Sequence, residues 1–291
     1  MTRAPRSTIV ALLLPAMAVM GMLVLLPLGY VLWLSLFSVK LSGTKEYVGL
    51  HNFVRLAHDA LFWRVAITTL KWTVISVLGK VLLGLAFALV LVRKFPFQGF
   101  VLALVLLPWA VPLSIGGIAW RWIFETSHGF ANALLMNIGL VREPITWLAG
   151  PSTALAAVLV ASIWTGVPFM AVTFLSGLHA IPKQLYEAAA IDGASGWNSF
   201  VRITLPLMRP VLMVGTIIST IWTFRSFDII YVMTKGGPLH STEIMTVLSY
   251  RYAFDNLKIG QASAVATLVL LILTAITVLY VLTYQAEQID V

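Results

Sequence analysis

The chain has 291 residues, no cysteine and a formal net charge of +8, with 60% hydrophobic and only 10% charged residues. Soluble domains carry about 25% charged residues, so this composition excludes an ordinary soluble globule. The lack of cysteine excludes disulfides, thiol catalysis and cysteine metal sites. The basic residues are scattered over short loops, which argues against nucleic acid and favours contact with anionic membrane lipid.

Six apolar stretches follow one another along the chain. A helix of about 20 apolar residues crosses the roughly 30 Å hydrocarbon layer of a membrane. The sequence therefore predicts an all-α integral membrane protein with one transmembrane domain over residues 1–291. The predicted spans lie at about 9–38, 66–92, 100–123, 152–178, 207–233 and 260–284. The first stretch begins like a signal peptide but continues far beyond any cleavage site, so we expect an uncleaved span.

The basic N-terminus predicts the orientation in the membrane. Arg3 and Arg6 precede the first span, and no acidic residue occurs before Glu46. Lys and Arg favour the cytoplasmic side, which places the N-terminus inside. Six spans then return the C-terminus to the cytoplasm and place residues 179–206 there as well.

Three outer segments carry local signals. Phe53, Leu56, Ala60 and Trp63 recur at helical spacing and predict a short amphipathic helix within residues 40–64. The next outer segment, 125–150, contains three glycines and one proline and is followed by Pro151, and we expect it to be irregular. Lys235-Gly236-Gly237-Pro238 predicts a break at the start of the third outer segment, residues 235–258.

The central segment 179–206 is polar in an otherwise apolar chain. Pro182 suits the first turn of a helix, and Ala188 and Ala189 would let another backbone approach closely. Gly193 can end this helix in a left-handed conformation, and a second short helix is predicted from Trp197 to Thr204. These residues alone leave two interpretations open: an ordinary cytoplasmic connection, or a surface on which another protein docks.

The same segment resembles the signature loop of the permeases of binding-protein-dependent ABC importers. The resemblance rests on Glu187-Ala188-Ala189, Asp192-Gly193-Ala194, Phe200, Ile203 and Leu205-Pro206. It implies a type I ABC importer permease fold: six transmembrane helices and a cytoplasmic loop whose first helix, the coupling helix, docks on an ATPase. In that family Glu187 would contact the ATPase, Ala188 and Ala189 would seat the helix, and Gly193 would make the turn. Asp192, Ala194 and Pro206 belong to the same motif.

Two further stretches resemble the carbohydrate importers similar to the maltose system. They are Phe227-Asp228 with Thr234–Pro238, and Val48–Phe53. The resemblance implies a sugar permease in a bacterial or archaeal cytoplasmic (inner) membrane, with the importers of polyols and glycerol phosphates as the alternative. It also implies three partners: a cytoplasmic ABC ATPase dimer, a second homologous permease in a heterodimer, and an extracytoplasmic solute-binding protein.

The sequence assigns the energy source to a separate subunit. The chain has no G-x-x-x-x-G-K-[ST] motif to cradle phosphates. We therefore expect ATP and Mg on the partner ATPase, no cofactor on this chain, and no catalysis by it.

Charged and aromatic residues of the fourth and fifth predicted spans are candidates for the solute pathway. Charges inside a span default to functional or paired roles, and Arg225 and Asp228 are three residues apart, on one face of a predicted helix. The candidate set is Trp164, Phe169, Trp222, Thr223, Phe224, Arg225, Asp228 and Tyr231. The alternative is packing or interface anchoring. Lys80 and Arg121 are expected to snorkel or to meet neighbouring helices.

Two other classes compete with the importer. Gly193-Ala194-Ser195-Gly196 reproduces the G-x-S-G string of intramembrane serine proteases, but a serine nucleophile needs a base within reach. All five histidines fall in predicted loops. An ion channel or proton-coupled carrier acting alone would leave the 187–206 signature unexplained.

Overall fold

The computed structural model describes residues 6–40 and 42–289, and it is mainly helical. The helices, in chain order, are α1 (Arg6–Leu34), α2 (His51–Ala57), α3 (Ala60–Leu91), α4 (Gln98–Ala110), α5 (Leu113–Ile123), α6 (Phe130–Asn137), α7 (Pro151–His179), α8 (Lys183–Ile191), α9 (Gly196–Ser199), α10 (Leu205–Phe224), α11 (Asp228–Thr234), α12 (Met245–Tyr250) and α13 (Ile259–Ile289). Two π-helical turns occupy Phe200–Thr204 and Arg251–Asp255, and two strands, β1 (Phe37–Val39) and β2 (Lys45–Tyr47), form an antiparallel hairpin.

Long apolar helices dominate this architecture. Among the described residues, five helical stretches are long and apolar enough to cross a membrane. They are Leu12–Leu34, Ala60–Leu91, Pro151–His179, Gly196–Phe224 and Ile259–Thr283. A sixth is present if α4 and α5, which meet at a bend of 101°, count as one span. The chain is a multi-pass helical membrane protein.

The bend between α4 and α5 has a local cause. Val111 is extended, with φ −87° and ψ 123°, and Pro112 follows it with φ −55° and ψ 136°. A residue before proline is pushed out of the helical region, because the proline ring clashes with its backbone. The stretch predicted as the span 100–123 is therefore broken rather than straight.

The predicted span 207–233 is also interrupted. Helix α10 ends at Phe224 and α11 begins at Asp228. The placement of Arg225 and Asp228 on one helix face is wrong, because the break at 225–227 separates them. Within the described part of the chain they form no ion pair within 4.0 Å.

Two of the outer segments differ from expectation. The amphipathic helix expected within 40–64 ends at Ala57, so Ala60 and Trp63 belong to the long α3. The β1–β2 hairpin in the same segment was not predicted from the sequence. The segment 125–150, expected to be irregular, contains α6.

The chain divides into two compact units. The first contains the described residues up to Trp63 together with Leu248–Ile272. At its centre the buried Asn52 side chain donates from Nδ2 to the carbonyl oxygens of Ser35, at 2.8 Å, and Phe37, at 3.0 Å. The Tyr252 hydroxyl donates to Asp59 at 2.9 Å. These bonds join α2 to the residues around the hairpin, and the second π-helical turn to the segment between α2 and α3.

The second unit contains Arg64–Val247 and the described residues from Leu273 onward. Its helices pack closely through small and polar residues, as membrane helices do. Gly84 of α3 lies against the backbone of Met170 and Ala171 in α7, so a Cβ there would collide with Met170. Nearby, the hydroxyls of Ser76 and Ser162 hydrogen-bond at 2.8 Å between the same two helices.

Candidate functional site

A cavity of about 780 Å³ lies in the second unit, where the two interrupted helices meet. Val111 and Pro112 from the α4–α5 bend line it, and so do Arg225 to Phe227 from the α10–α11 break. Non-helical backbone inside a membrane is tolerated where it is covered by protein or lines a cavity. Transporter solute sites are commonly built between such discontinuous helices. The position of the cavity therefore marks it as a candidate solute site.

Hydroxyl groups line two sides of this cavity. Ser162 and Thr165 come from α7, and Ser219 and Thr223 come from α10. Their spacings of three and four residues put each pair on one face of its helix. The cavity therefore presents hydrogen-bonding groups inside a largely apolar span.

Three aromatic rings form another part of the wall. Phe169 lies between Trp109 and Trp222, with ring centroids 6.2 Å and 4.8 Å away respectively. Trp222 is 47% exposed, so much of its ring faces open space. Apolar and aromatic walls with a few placed polar groups are typical of small-molecule sites.

Three ionisable side chains line the cavity: Lys80, Arg225 and Asp228. Arg225 and Asp228 are exposed, whereas Lys80 is 7% exposed. The Lys80 Nζ donates to Thr223 Oγ1 at 2.8 Å, which joins α3 to α10. Of the two expectations for Lys80, contact with a neighbouring helix is therefore the one that the structure shows.

The structure brings five of the eight predicted pathway residues to the cavity and leaves three away from it. Phe169, Trp222, Thr223, Arg225 and Asp228 line the cavity. Trp164 packs edge-on against Trp120 at 5.7 Å and lines a separate apolar groove. Phe224 is 6% exposed, and Tyr231 stacks on Phe227 at 4.8 Å against the core. Tyr231 lies beyond the break that follows Phe224, and Trp164 lies on α7 and faces the groove instead. A role of these three residues in the solute pathway stays a prediction.

Sequence reasoning missed several lining residues. They are Lys80, Trp109, Ser162, Thr165, Ser219 and Ser226. A signal for the hydroxyl residues was present, since a stripe of Ser and Thr recurs at helical spacing within otherwise apolar helices. No comparable signal exists for Lys80 and Trp109, because their position depends on how α3 and α4 pack.

The second candidate site is the helical loop of residues 179–206. Pro182 precedes α8, and Gly193 follows it with φ +75°. The Ala194 N–H donates to the Ala189 carbonyl at 2.9 Å, and the Gly193 N–H donates to the Ala190 carbonyl at 3.1 Å. This pair of bonds is the Schellman arrangement, in which a left-handed residue satisfies the last carbonyls of a helix. The expected left-handed helix end at Gly193 is present in the structure.

The loop continues as a capped helix into α10. The Asn198 N–H donates to the Ser195 hydroxyl at 3.2 Å, so Ser195 caps α9. The expected second helix, Trp197 to Thr204, appears as α9 followed by the first π-helical turn. Pro206 lies at the start of α10, which continues directly from the first π-helical turn.

One hydrogen bond and one apolar contact anchor α8. The hydroxyls of Tyr186 and Thr204 lie 2.9 Å apart. Tyr186 also packs with Ile203 against the buried cluster that contains Ile181 and Met208. The helix is thus held on one side, which fixes the direction in which its other side points.

The other side of this loop is open. No residue of α8 is buried, and Glu187, Ala188, Asp192 and Gly193 are exposed while Ala189 and Ala194 are half-buried. Large apolar side chains share this exposure: Ile191 at 87%, Trp197 at 71% and Leu185 at 41%. Contiguous exposed apolar side chains rimmed by polar residues are typical of protein-binding surfaces.

Ser195 has no arrangement suited to a nucleophile. Its hydroxyl accepts the N–H of Asn198 as a helix cap. Among the described residues, no histidine hydrogen-bonds to it, and no cluster of three His, Cys, Asp or Glu could hold a metal ion. The loop therefore lacks the nucleophile–base pair of a serine protease.

Comparison with known proteins identifies the family. Residues 80–288 match the family of binding-protein-dependent transport system inner membrane components. The chain is 38% identical to the trehalose/maltose transport system permease protein of Thermococcus litoralis, over 92% of this chain and 90% of that one. It is 35% identical to the sulfoquinovosyl glycerol transport system permease protein of Agrobacterium fabrum, over 93% and 88%.

A solved structure shares the fold. One chain of a bacterial ABC transporter involved in the import of the acidic polysaccharide alginate superposes with a TM-score of 0.82. The superposition covers 97% of this chain and 96% of the other, at 22% sequence identity. The fold is thus that of a type I ABC importer permease, and the chain belongs to the family of inner membrane components of binding-protein-dependent transport systems.

Proposed function

We propose that the chain is a permease subunit of an ATP-driven importer for sugars and that it forms half of the translocation pathway. The observation that carries this proposal is the exposed loop containing α8 and α9, anchored on one side and apolar on the other, in a member of this family. The loop docks on a cytoplasmic ATPase, with Glu187 at the contact and Ala188 and Ala189 seating α8. Gly193, with Asp192 and Ala194, sets the angle at which α8 meets its partner.

The cavity at the two helix breaks is this subunit's share of the solute pathway. Aromatic rings suit the C–H faces of a sugar ring, and serine and threonine hydroxyls suit its hydroxyl groups. The relatives carry cargoes described as trehalose/maltose, sulfoquinovosyl glycerol and the acidic polysaccharide alginate. A sugar, rather than a polyol or a glycerol phosphate, is favoured by the three-ring wall of Trp109, Phe169 and Trp222.

The proposed topology has six spans with both termini in the cytoplasm, in a bacterial or archaeal inner membrane. The basic N-terminus supports this orientation, and the docking role of the loop requires it on the ATPase side. Reporter fusions after residues 95 and 290 should then report the cytoplasm. Fusions after residues 50, 140 and 245 should report the outside, and a C-terminus outside would overturn the topology.

Energy and recognition come from other subunits in this proposal. An ATPase dimer binds ATP and Mg, a second homologous permease completes the pathway, and an extracytoplasmic binding protein delivers the solute. This chain performs no chemistry itself; it converts the movement of the ATPase into movement of the helices around the cavity.

A reconstituted system tests the proposal. The full complex, with all four kinds of subunit in liposomes, should accumulate a radiolabelled sugar only with ATP inside and the loaded binding protein outside. Uptake by this chain alone, without the ATPase, would instead favour a channel or a proton-coupled carrier. Lack of uptake of every sugar by the assembled complex would exclude a sugar importer.

A further inference from the structure

The charge of the cavity is not balanced. Lys80, Arg225 and Asp228 are the ionisable side chains among its described lining residues, so two cations face one carboxylate and the excess is one positive charge. Arg225 and Asp228 are both exposed, and water can screen their charges. Lys80 is only 7% exposed. Water therefore screens its positive charge least, and this charge has the largest effect on the energy of an ion in the cavity.

Lys80 lies within α3, away from both ends of the helix. It is 11 residues before Leu91, the end of α3 (91 − 80 = 11), which places it about 17 Å from that end at 1.5 Å per residue. The opposite end of α3, Ala60, is farther away still. The ammonium group of Lys80 is turned inward to Thr223 rather than toward an end of the helix.

No carboxylate neutralises this ammonium group. Within the described residues Lys80 takes part in no ion pair within 4.0 Å. Its described partner is the neutral hydroxyl of Thr223, whereas an ammonium group has three N–H donors. A buried charge is costly unless it is paired and hydrogen-bonded, and one within a membrane span marks a functional position by default.

The side chain of Lys80 is held in a slot. Its methylene carbons run beside Gly166 of α7, where an added Cβ would lie 2.5 Å from Lys80 Cε and 2.6 Å from Cδ. Gly166 thus leaves the room that the lysine occupies, and both residues line the cavity. With one N–H bonded to Thr223, the ammonium group is fixed in place before any solute arrives, which lowers the ordering cost of binding.

We propose that this cavity selects sugars that carry one acidic group, and that Lys80 is the residue that pairs with that group. The group is a carboxylate, a sulfonate or a phosphate, since each supplies the anionic oxygens that the ammonium lacks. The proposal rests on the proposed function as a sugar permease and adds the charge of the cargo. Asp228 and Arg225, at the exposed part of the wall, then contact the hydroxyl groups of the same sugar.

The competing role for Lys80 is structural: it would only stabilise the packing of α3 against α10. Loss of such a contact would affect every cargo equally, because it acts through assembly of the helices. A specificity residue changes the discrimination between acidic and neutral cargo and leaves assembly intact. The discriminating measurement is therefore a ratio of KM values, not an activity.

The test uses the complete reconstituted complex and four disaccharides that differ only at C6 of one ring: neutral hydroxymethyl, carboxylate, sulfonate and phosphate. Wild-type uptake should show a KM at least about tenfold lower for one or more acidic members than for the neutral one, equivalent to about 1.4 kcal/mol. Lys80→Gln should remove this preference by raising the acidic KM about tenfold, and Lys80→Arg should retain most of it. The acidic member with the lowest KM identifies the group.

Lys71→Gln is the matched control, because Lys71 lies on the same helix but is exposed and does not line the cavity. It should leave all four KM values unchanged. The affinity of the isolated binding protein for each sugar is measured separately, and each uptake KM is divided by that Kd, so that the preference of the binding protein drops out.

Two results would overturn the inference while leaving the sugar importer standing. One is wild-type uptake with equal or lower KM for the neutral member, which decides the matter even if Lys80→Gln fails to assemble. The other is a Lys80→Gln complex that assembles and loses uptake of all four sugars in equal proportion. ATP-dependent uptake of none of the sugars by wild type would instead refute the proposed function itself.

Discussion

Gly193 offers a sharp perturbation of the proposed docking loop. Its φ is +75°, and no atom outside its own chain neighbours lies within 4 Å of the place that a Cβ would occupy. A side chain at this position therefore meets only the backbone strain of the left-handed region. That strain is about 1–2 kcal/mol for a residue with a Cβ, more for a β-branched one and less for Asn, which tolerates this conformation.

The magnitude can be carried through to docking. A cost of one to two kcal/mol reduces the ratio of native to non-native helix ends by a factor of about 5–30. If docking requires the native direction of α8, the apparent Kd for the ATPase rises by up to the same factor, because it varies inversely with the fraction of α8 in that direction. Gly193→Asn, Gly193→Ala and Gly193→Val should thus weaken ATPase binding in that increasing order.

The assay separates docking from folding. Each variant is co-purified with its partner permease in nanodiscs, and the ATPase subunit is titrated onto the complex before uptake and ATP hydrolysis are measured. We expect normal insertion and permease pairing, weaker ATPase binding, and hydrolysis without transport where some ATPase remains bound. Gly196→Val is the matched control: Gly196 lies in the same loop, also has open space, and its φ is not in the left-handed region.

The reasoning fails if Gly193→Val transports at the wild-type rate with its ATPase firmly bound; the loop is then only a connector. It also fails if Gly196→Val is as damaging as Gly193→Val, because backbone direction is then not the cause. Glu187→Ala should have a milder effect than Gly193→Val, since an ion pair at an exposed rim contributes about 0–1 kcal/mol.

Three other changes have defined outcomes. Asp228→Ala and Trp222→Ala should each weaken solute-stimulated ATP hydrolysis without affecting assembly, and unchanged kinetics for both would remove the cavity from the pathway. Gly84→Val should overpack the contact of α3 with α7 and destabilise the protein by about 1–3 kcal/mol or more, measured as a lower Tm in detergent. Gly21→Val is the control, because the added Cβ there has open space, and it should leave the Tm unchanged. Asn52→Ala should leave two carbonyl oxygens without their donor, which lowers the free energy of unfolding by about 1–3 kcal/mol. This is again measured as a loss of Tm. An unchanged Tm would show that water replaces the amide.

The α8–α9 loop could be read from the sequence because its determinants are local. A proline before the helix, a glycine after it and a serine cap act within a few residues, so Pro182, Gly193 and Ser195 predict their own geometry. The cavity was less accessible, because its wall depends on where two helices stop. Pro112 signals the first break, but nothing near Arg225 marks the second as clearly, so the sequence did not indicate that Tyr231 lies beyond a break in the helix and away from the cavity. Lys80 shows the same limit, since only the packing of α3 against α7 and α10 turns its side chain toward the cavity.

The two helix breaks at the cavity also bear on how the membrane stays sealed. An unbroken span opposes ions with the whole hydrocarbon thickness, whereas the hydroxyl and charged side chains at the two breaks favour water in the cavity that they line. The barrier to ion leakage is then formed only by the side chains that close the rest of the pathway. The exposed rings of Trp109 and Trp222 at the cavity wall are suited to that closure, because a hydrophobic constriction excludes water. In the proposed pathway, a thin layer of side chains would thus take over the sealing role that an unbroken span performs with its whole length.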